Sequence, residues 1–215
     1  MEKADNKNLD FRIALDGPSA SGKGLIGSML AEEFTLKYVQ SSIVYRGLAL
    51  VCVEDSIDPS DVESVILAAQ NQDVVSRAFG KDLNVELIGD IASKISIIPE
   101  VRENLTTYLK NLMQNTPRII MEGRDIGTVV VPNSDIKIFI LADVEVRAAR
   151  RYKQLQSEGK DCILGDVLEL LKERDARDSN RTVAPLKAAD DALVIDTSEL
   201  TPAEVVQKIK QFIYK

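Results

Sequence analysis

The stretch Asp16-Gly17-Pro18-Ser19-Ala20-Ser21-Gly22-Lys23-Gly24 contains the G-x-x-x-x-G-K pattern of a phosphate-binding loop. A short apolar run at residues 12–15 precedes it, and apolar residues at helical spacing follow it from Leu25. Glycines allow the backbone to curl so that successive amides point inward, and the start of the helix adds the positive end of its dipole. Strand, glycine-rich loop and amphipathic helix, in this order, predict the opening of an α/β domain that binds phosphate.

Two positions in this loop bear on its chemistry. Lys23 places a positive charge against the outer phosphates of a nucleotide. Gly24 stands where most phosphate loops have a Ser or Thr that binds Mg²⁺ directly. We therefore expect Mg²⁺ to be held mainly by ATP phosphates and water, with no metal ligand from the protein. The alternative interpretation is a glycine-rich turn that merely joins a strand to a helix.

The alternation of strands and helices continues along the chain. Residues 118–121, 136–141 and 193–195 are apolar and predict buried strands. Asp143 can cap the helix after the second of these. Near the C-terminus, Thr201 at the N-cap, Pro202 at N1 and Glu204 at N3 predict a last helix that ends at about residue 213. This alternation predicts a mostly parallel sheet covered by helices on both faces.

Two segments depart from the alternation. Residues 54–115 have a largely helical pattern with one weak strand candidate at residues 83–87, and we interpret them as an insertion. Residues 150–182 are densely charged. We expect both to be mobile parts of a single domain that spans residues 1–215.

The composition excludes several reaction classes. The 215 residues include 27 basic and 34 acidic side chains, for a net charge of −7, and no His. Hydrolases with a His base, His-ligated zinc enzymes and His proton shuttles are therefore excluded. Chemistry must use Asp, Glu, Lys, Arg, Ser and backbone amides, and the negative charge argues against a general nucleic-acid partner.

Two cysteines, Cys52 and Cys162, are too few for a disulfide framework, and we expect them to be buried free thiols in a reducing compartment. The first ten residues are polar, and the chain contains no apolar run long enough to cross a bilayer. We therefore expect a cytoplasmic protein with small-molecule substrates and no membrane partner, and a monomer.

Longer motifs carry a resemblance to a known family. The loop opening, with Gly-Lys-Gly at residues 22–24, resembles nucleoside monophosphate kinases, and specifically the bacterial cytidylate kinases (CMP/dCMP kinases). Matches in chain order are Ser41-Ser42-Ile43-Val44-Tyr45-Arg46, Ala92-Ser93, Pro99-Glu100-Val101-Arg102, Glu122-Gly123-Arg124-Asp125-Ile126-Gly127-Thr128-Val129-Val130 and Lys172-Glu173-Arg174-Asp175-Ala176-Arg177-Asp178-Ser179-Asn180-Arg181. The last two strings are far more specific than the phosphate loop.

The resemblance implies a P-loop kinase fold: a parallel five-stranded sheet flanked by helices, an acceptor-binding insertion at 54–115 and a lid at 150–182. It implies a transferase of pyrimidine nucleotide metabolism that uses ATP and Mg²⁺ to convert CMP, and also dCMP, to the diphosphate. It assigns catalysis to Lys23, Arg46, Arg124, Arg174 and Arg177. It assigns ATP binding to Gly17, Pro18, Ser19, Ala20, Ser21, Gly22, Lys23, Gly24, Leu25, Arg150 and Arg151. It assigns CMP binding to Ser41, Arg46, Ser93, Arg102, Arg124, Asp125, Asp178 and Arg181.

These residue types suit the implied chemistry. Phosphoryl transfer needs charge neutralisation and alignment more than proton transfer, and planar guanidinium groups match phosphate oxygens. Cytosine presents an amino donor beside two acceptors, which a carboxylate and an arginine such as Asp125 and Arg102 can read. By spacing alone, the charges from Arg174 to Arg181 are equally consistent with a solvated helix face, and Arg124 with Asp125 is consistent with a local ion pair.

Three features depart from the family pattern. Leu25 replaces a Thr, which predicts weaker ATP binding; Gln40 and Ser42 replace an acid and a glycine; and the insertion is short between Leu87 and Ala92. These departures leave two alternatives open. One is a P-loop kinase for another acceptor, such as UMP, AMP or a metabolite alcohol, and the other is a degenerate nucleotide-binding protein without catalysis.

Overall fold

A five-stranded parallel sheet forms the centre of the molecule. The computed structural model describes residues 11–70, 74–78, 80–81, 83 and 85–214; the polar N-terminal residues 1–10 lie outside these ranges. The strands are β1 (Phe11–Asp16), β2 (Lys37–Gln40), β3 (Arg118–Gly123), β4 (Ile136–Leu141) and β5 (Leu193–Asp196), in the spatial order β2-β3-β1-β4-β5. The predicted fold class is confirmed.

Helices cover both faces of this sheet. They are α1 (Lys23–Phe34), α2 (Ser42–Glu54), α3 (Val62–Gln70), α4 (Val74–Ala78), α5 (Glu86–Ile95), α6 (Pro99–Gln114), α7 (Val144–Ser157), α8 (Leu164–Asn180) and α9 (Pro202–Ile213). A π-helical turn, Ile126–Val130, follows β3. The segment 54–115, as far as it is described, is made of helices between β2 and β3.

Alternating side chains of the strands divide the core into two layers. In β1, Ile13 and Leu15 pack with α1 and α9, whereas Ala14 faces the helices that lie between β2 and β3. In β3, Ile120 belongs to the first layer and Met121 to the second. Successive side chains of a strand point to opposite faces, so the apolar runs read in the sequence fill both layers.

The C-terminal helix begins as predicted. The Thr201 hydroxyl accepts a hydrogen bond from the backbone N–H of Glu204 at 3.3 Å, and the Glu204 carboxylate accepts one from the backbone N–H of Thr201 at 2.8 Å. This reciprocal pair is a capping box. Asp143 lies at the N-cap of α7, but within the described residues its side chain makes no capping hydrogen bond.

Two sequence expectations need correction, and one strand was missed. The predicted strand at residues 83–87 is wrong where the structure describes it, because α5 begins at Glu86 and includes Leu87; residue 84 lies outside the described ranges. The edge strand β2 was not predicted as a strand, because its four residues are half-buried or exposed and carry no apolar run. The expectation of two buried free thiols holds for Cys52 but is wrong for Cys162, which is partly exposed; both are free thiols.

The carboxyl ends of the parallel strands meet at one edge of the sheet, where α/β proteins bind ligands. There Asp16 of β1 pairs in register with Gly123 of β3, and Gln40 of β2 with Glu122. The phosphate loop leaves this edge after β1. Gly17 has φ 149°, and a Cβ there would lie 2.0 Å from the Ile140 carbonyl oxygen, so the loop approaches β4 as only glycine allows.

Candidate active site

The phosphate loop closes around the side chain of Lys23. Its Nζ donates to the Pro18 carbonyl oxygen at 2.6 Å and to the Ser21 hydroxyl at 3.3 Å. Burial, together with the nearby charge of Arg124, lowers the pKa of Lys23 to about 7. Gly22, at φ 92°, turns the chain into α1. The loop thus holds the Lys23 amino group against one of its own carbonyl oxygens and one of its own hydroxyls.

Asp16 ties the start of this loop to the segment after β3. Its two carboxylate oxygens accept hydrogen bonds from the backbone N–H groups of Ile126 and Gly127, at 2.9 and 2.8 Å. Burial raises the pKa of Asp16 to about 6, although the two backbone donors oppose the shift. The bonds connect the ends of β1 and β3, which carry the loop and Arg124.

A cleft lies above the loop and is lined by the predicted ATP-binding residues from Ser19 to Leu25 and by two arginines of α7. Arg150 donates to the Thr197 carbonyl oxygen at 2.6 Å, next to the end of β5. Arg151 forms an ion pair with Glu86 of α5 at 2.8 Å. We call this cleft the donor cavity. Gly17 and Pro18 do not line it, but the Pro18 carbonyl oxygen accepts from Lys23, which does.

A second cavity lies beside the first and brings together the predicted CMP-binding residues, which are Ser41, Arg46, Ser93, Arg102, Arg124, Asp125, Asp178 and Arg181. We call it the acceptor cavity. Asp125 is buried and lies between two guanidinium groups. It forms ion pairs with Arg102 and, at 3.4 Å, with Arg181. The Tyr45 ring lies 5.6 Å from the Arg102 guanidinium carbon. Charges and hydrogen-bond groups therefore crowd the buried end of this cavity.

Arg124 pairs across the chain with α8 rather than with its neighbour. Its Nε lies 2.8 Å from the Asp178 carboxylate. The alternative of a local ion pair between Arg124 and Asp125 is therefore wrong. The solvated-face alternative also fails for Arg174, Asp178 and Arg181, which are buried. Side chains predicted from separate motifs thus meet in one site.

The two cavities share a wall of positive charge. Arg46, Arg124 and Arg174 line both of them. Burial lowers the pKa of Arg46, and so do the charges of Arg174 and Arg151. Mutual repulsion of this kind favours an anion between the guanidinium groups. A phosphoryl group that passes from one cavity to the other would therefore meet these three arginines throughout its path.

One predicted catalytic residue lies apart from this wall. Arg177 forms an ion pair with Asp90 at 2.8 Å and donates to the Ser93 hydroxyl at 3.2 Å. Within the described part of the chain it contacts α5 and lines neither cavity. Its catalytic role stays a prediction.

Several residues of the site escaped prediction. Glu122 and Ser42 line both cavities, Tyr45 lines the acceptor cavity, and Glu86 lines the donor cavity. Glu122, Ser42 and Tyr45 stand inside the family motifs, so their position was a usable signal. Glu86 had no such signal, because its place depends on how the insertion packs against α7 and α8.

Solved structures share this architecture. An uncharacterized protein from Eubacterium ventriosum ATCC 27560 aligns with a TM-score of 0.55 and 14% identity, covering 95% of this chain and 99% of that chain. Shikimate kinase from Bacteroides thetaiotaomicron aligns with a TM-score of 0.51 and 12% identity, covering the same shares. At these identities the likeness concerns the fold alone, which is that of P-loop kinases.

Sequence relatives are much closer. Residues 13–215 match the family model described as cytidylate kinase. A cytidylate kinase of Rickettsia bellii (strain OSU 85-389) is 56% identical over 219 residues, which cover 100% of both chains. One of Rickettsia canadensis (strain McKiel) is 54% identical over 211 residues, which cover 98% of this chain and 95% of that protein. This chain belongs to the cytidylate kinase family.

Proposed function

We propose that this chain transfers the γ-phosphoryl group of ATP to CMP, and also to dCMP, with release of ADP. The observation that carries the proposal is the shared wall of Arg46, Arg124 and Arg174 between the two cavities. Transfer between two anionic groups requires that their repulsion be offset along the whole path. The family membership supports the same reaction.

ATP would bind in the donor cavity. The amides of the phosphate loop and the start of α1 would hold the β- and γ-phosphates. Lys23 would leave its contacts with Pro18 and Ser21 to reach the outer phosphates, because a phosphate oxygen is the stronger acceptor for an ammonium group. Arg150 and Arg151, which line this cavity, would close over the nucleotide.

CMP would bind in the acceptor cavity. Arg46 and Arg124 would hold its phosphate, and Arg102 with Asp125 would read the edge of cytosine, supported by Ser93. Asp125 would accept from the N4 amino group while Arg102 donates to O2 or N3. The existing ion pair of Arg102 and Asp125 holds both groups in a fixed relation for this purpose.

The residues fit a magnesium ion that is held mainly by nucleotide and water. Among the described residues, no group of three or more acidic or Cys side chains is arranged to bind a metal alone. Glu122 lines both cavities, and its Oε2 is buried with no hydrogen-bond partner in the described chain. Its carboxylate would accept from water of the ion. When bound, Mg²⁺ neutralises charge on the phosphate oxygens.

The reaction needs no strong general base. The attacking phosphate oxygen of CMP is already ionised at neutral pH, so alignment and charge neutralisation suffice. The lid at 150–182 would exclude water, since hydrolysis of ATP competes with transfer. We further propose that residues 54–115 act as the acceptor-binding insertion of a single domain.

We also propose a cellular location, an oligomeric state and a metabolic role for this enzyme. Of the helices in the described ranges, none is long and apolar enough to cross a membrane. We propose a cytoplasmic monomer that works in pyrimidine nucleotide metabolism, on substrates that are soluble nucleotides.

The decisive experiment compares acceptors under identical conditions. ADP release from ATP and Mg²⁺ would be followed with CMP, dCMP, UMP, AMP and GMP. We expect the highest kcat/KM with CMP, dCMP next, and roughly a tenfold or larger loss with purine acceptors, whose larger base leaves Arg102 or Asp125 unpaired. A higher kcat/KM with another acceptor would contradict the CMP assignment. Tight ATP binding without acceptor-dependent ADP release would contradict catalysis altogether.

A further inference from the structure

Arg147 joins four parts of the protein through one buried side chain. Its residue exposure is 5%, and it lies in the first turn of α7. Nε donates to the Ala142 carbonyl oxygen at 2.8 Å, Nη1 to the Ser19 carbonyl oxygen at 3.1 Å, and Nη2 to the Asp175 carboxylate at 2.6 Å. Each nitrogen of the guanidinium group therefore has its own acceptor.

The three acceptors belong to different elements. Ala142 follows β4, Ser19 lies in the phosphate loop, and Asp175 lies on α8. A guanidinium group is planar and rigid, so three simultaneous bonds fix the distances between these elements. A buried guanidinium without such partners would be costly, so the bonds are also the reason why the group can lie there.

Two of these contacts adjoin residues of the proposed reaction. Ser19 lines both cavities, and its carbonyl oxygen accepts the hydrogen bond from Arg147 Nη1. Asp175 directly precedes Ala176 and directly follows Arg174, which belongs to the shared wall. The other carboxylate oxygen of Asp175 is buried with no hydrogen-bond partner in the described chain. Arg147 therefore orients this carboxylate, and with it the turn of α8 that carries Arg174.

We propose that Arg147 is a positioning residue for phosphoryl transfer, which sets Arg174 at a fixed distance from the phosphate loop. It touches neither cavity in the described structure and acts through Ser19 and Asp175. This inference rests on the proposed function, because it assumes that a phosphoryl group crosses the shared wall. A small displacement of Arg174 would leave both substrates bound but would misalign the transferring group.

The test replaces Arg147 by Lys, which keeps the charge but has a single nitrogen. We expect kcat with ATP and CMP to fall roughly ten- to hundredfold, while KM for ATP stays within about threefold. Arg174→Lys would lower kcat as well. Because Arg147 acts through Arg174, the double variant should be no slower than Arg174→Lys alone, within about threefold. Arg77→Lys is the matched control, since Arg77 pairs with Glu54 and Asp55 at the surface of the insertion and should keep wild-type kinetics.

Several outcomes would overturn the proposal. A wild-type kcat in Arg147→Lys, or kcat losses that multiply in the double variant, would do so. If Arg147→Lys does not fold, Asp175→Ala replaces it, because alanine has no acceptor for the Arg147 Nη2 bond and the site is half-buried. An unchanged kcat in that variant would also overturn the proposal. The unsubstituted chain is measured in parallel. If the unsubstituted chain releases ADP in the presence of CMP and Arg147→Lys has wild-type kinetics, only the role of Arg147 is rejected. If the unsubstituted chain releases no ADP in the presence of CMP, the proposed function itself is rejected.

Discussion

Arg124 donates from Nε to the Asp178 carboxylate over 2.8 Å, and this bond joins the end of β3 to α8 across the acceptor cavity. Asp178 is buried and lines that cavity but not the donor cavity. Removal of its charge would weaken the hydrogen bond that the Arg124 guanidinium donates to it. We therefore expect a change at Asp178 to affect binding in the acceptor cavity more than binding in the donor cavity, and this difference can be measured.

We predict that Asp178→Asn lowers kcat/KM for CMP on the order of ten- to hundredfold, since it weakens a charged hydrogen bond inside the acceptor cavity. ATP affinity should change by less than about threefold, because Asp178 does not contact the donor cavity. Steady-state kinetics at saturating ATP and calorimetric titration with ATP measure the two quantities.

The control for this prediction is Asp55→Asn, which also removes an aspartate from an arginine pair but lies at the surface of the insertion. It should leave both quantities unchanged. Equal losses of ATP affinity and CMP turnover in Asp178→Asn would contradict the assignment of Asp178 to the acceptor side.

Lys23 provides a pH prediction. Its pKa in the free protein is lowered to about 7, so at pH 8 most molecules carry a neutral amine. Bound phosphates favour the charged form, and ATP binding at pH 8 should therefore take up close to one proton. ATP affinity should fall by up to about tenfold per pH unit above pH 7. Calorimetry in two buffers of different ionisation enthalpy measures the proton uptake.

The variant Lys23→Met has no amine to titrate, and its ATP binding should take up no proton through this group. Proton uptake that persists in Lys23→Met, or that is absent from the wild type at pH 8, would contradict the prediction. The same shift affects stability. The unfolded chain holds this proton up to about its usual pKa of 10.5, so the free energy of unfolding should rise with pH between 7 and 10.5 through Lys23.

Much of the fold was predictable because it depends on local chemistry. Gly17 and Lys23 indicate the phosphate loop, the apolar run at 136–141 predicts β4, and Thr201 with Glu204 predicts the start of α9. In each case the residues that carry the signal lie close together in the chain. Backbone sterics, side-chain alternation and capping act over that same range.

The partners within the site were not predictable in this way. Arg124 pairs with Asp178 rather than with the adjacent Asp125, and Glu86 pairs with Arg151 of α7. Such choices depend on how α5, α7 and α8 pack, and the charge pattern of a single helix leaves them open. Family motifs identified most residues of the acceptor cavity. They did not reveal that Arg177 contacts Asp90 instead of a cavity.

Leu25 allows a prediction of improved binding. It is 55% exposed, lies in the first turn of α1 and lines the donor cavity. The family pattern has a Thr here, and we expect its hydroxyl to reach a phosphate oxygen of ATP. We predict that Leu25→Thr lowers KM for ATP roughly threefold or more, because a hydrogen bond to a charged group is gained.

The matched control is Leu25→Val, which has the shape of Thr and the same branched Cβ but no hydroxyl. Its KM for ATP should stay near the wild-type value, and the kinetics of both variants would be measured at saturating CMP. An equal fall of KM in the two variants would mean that side-chain size, and not the hydroxyl, limits ATP binding.

Two glycines of the phosphate loop should respond oppositely to alanine. At Gly17, where φ is 149°, a Cβ would lie 2.0 Å from the Ile140 carbonyl oxygen, and that backbone atom cannot move aside cheaply. Gly17→Ala should lower the free energy of unfolding by about 3 kcal/mol and abolish ATP binding. At Gly24 a Cβ would lie 3.6 Å from the nearest atom, the Tyr38 hydroxyl, which is ordinary contact.

Gly24→Ala should therefore keep wild-type stability or gain up to about 1 kcal/mol, because alanine favours the helix that begins at Lys23. Urea unfolding of the two variants and the wild type measures the difference. If Gly17→Ala unfolds at the wild-type urea concentration, the loop does not pass against β4 as described. The position of the Lys23 ammonium relative to the shared arginine wall would then also differ, since the end of β4 supports the loop that holds Lys23.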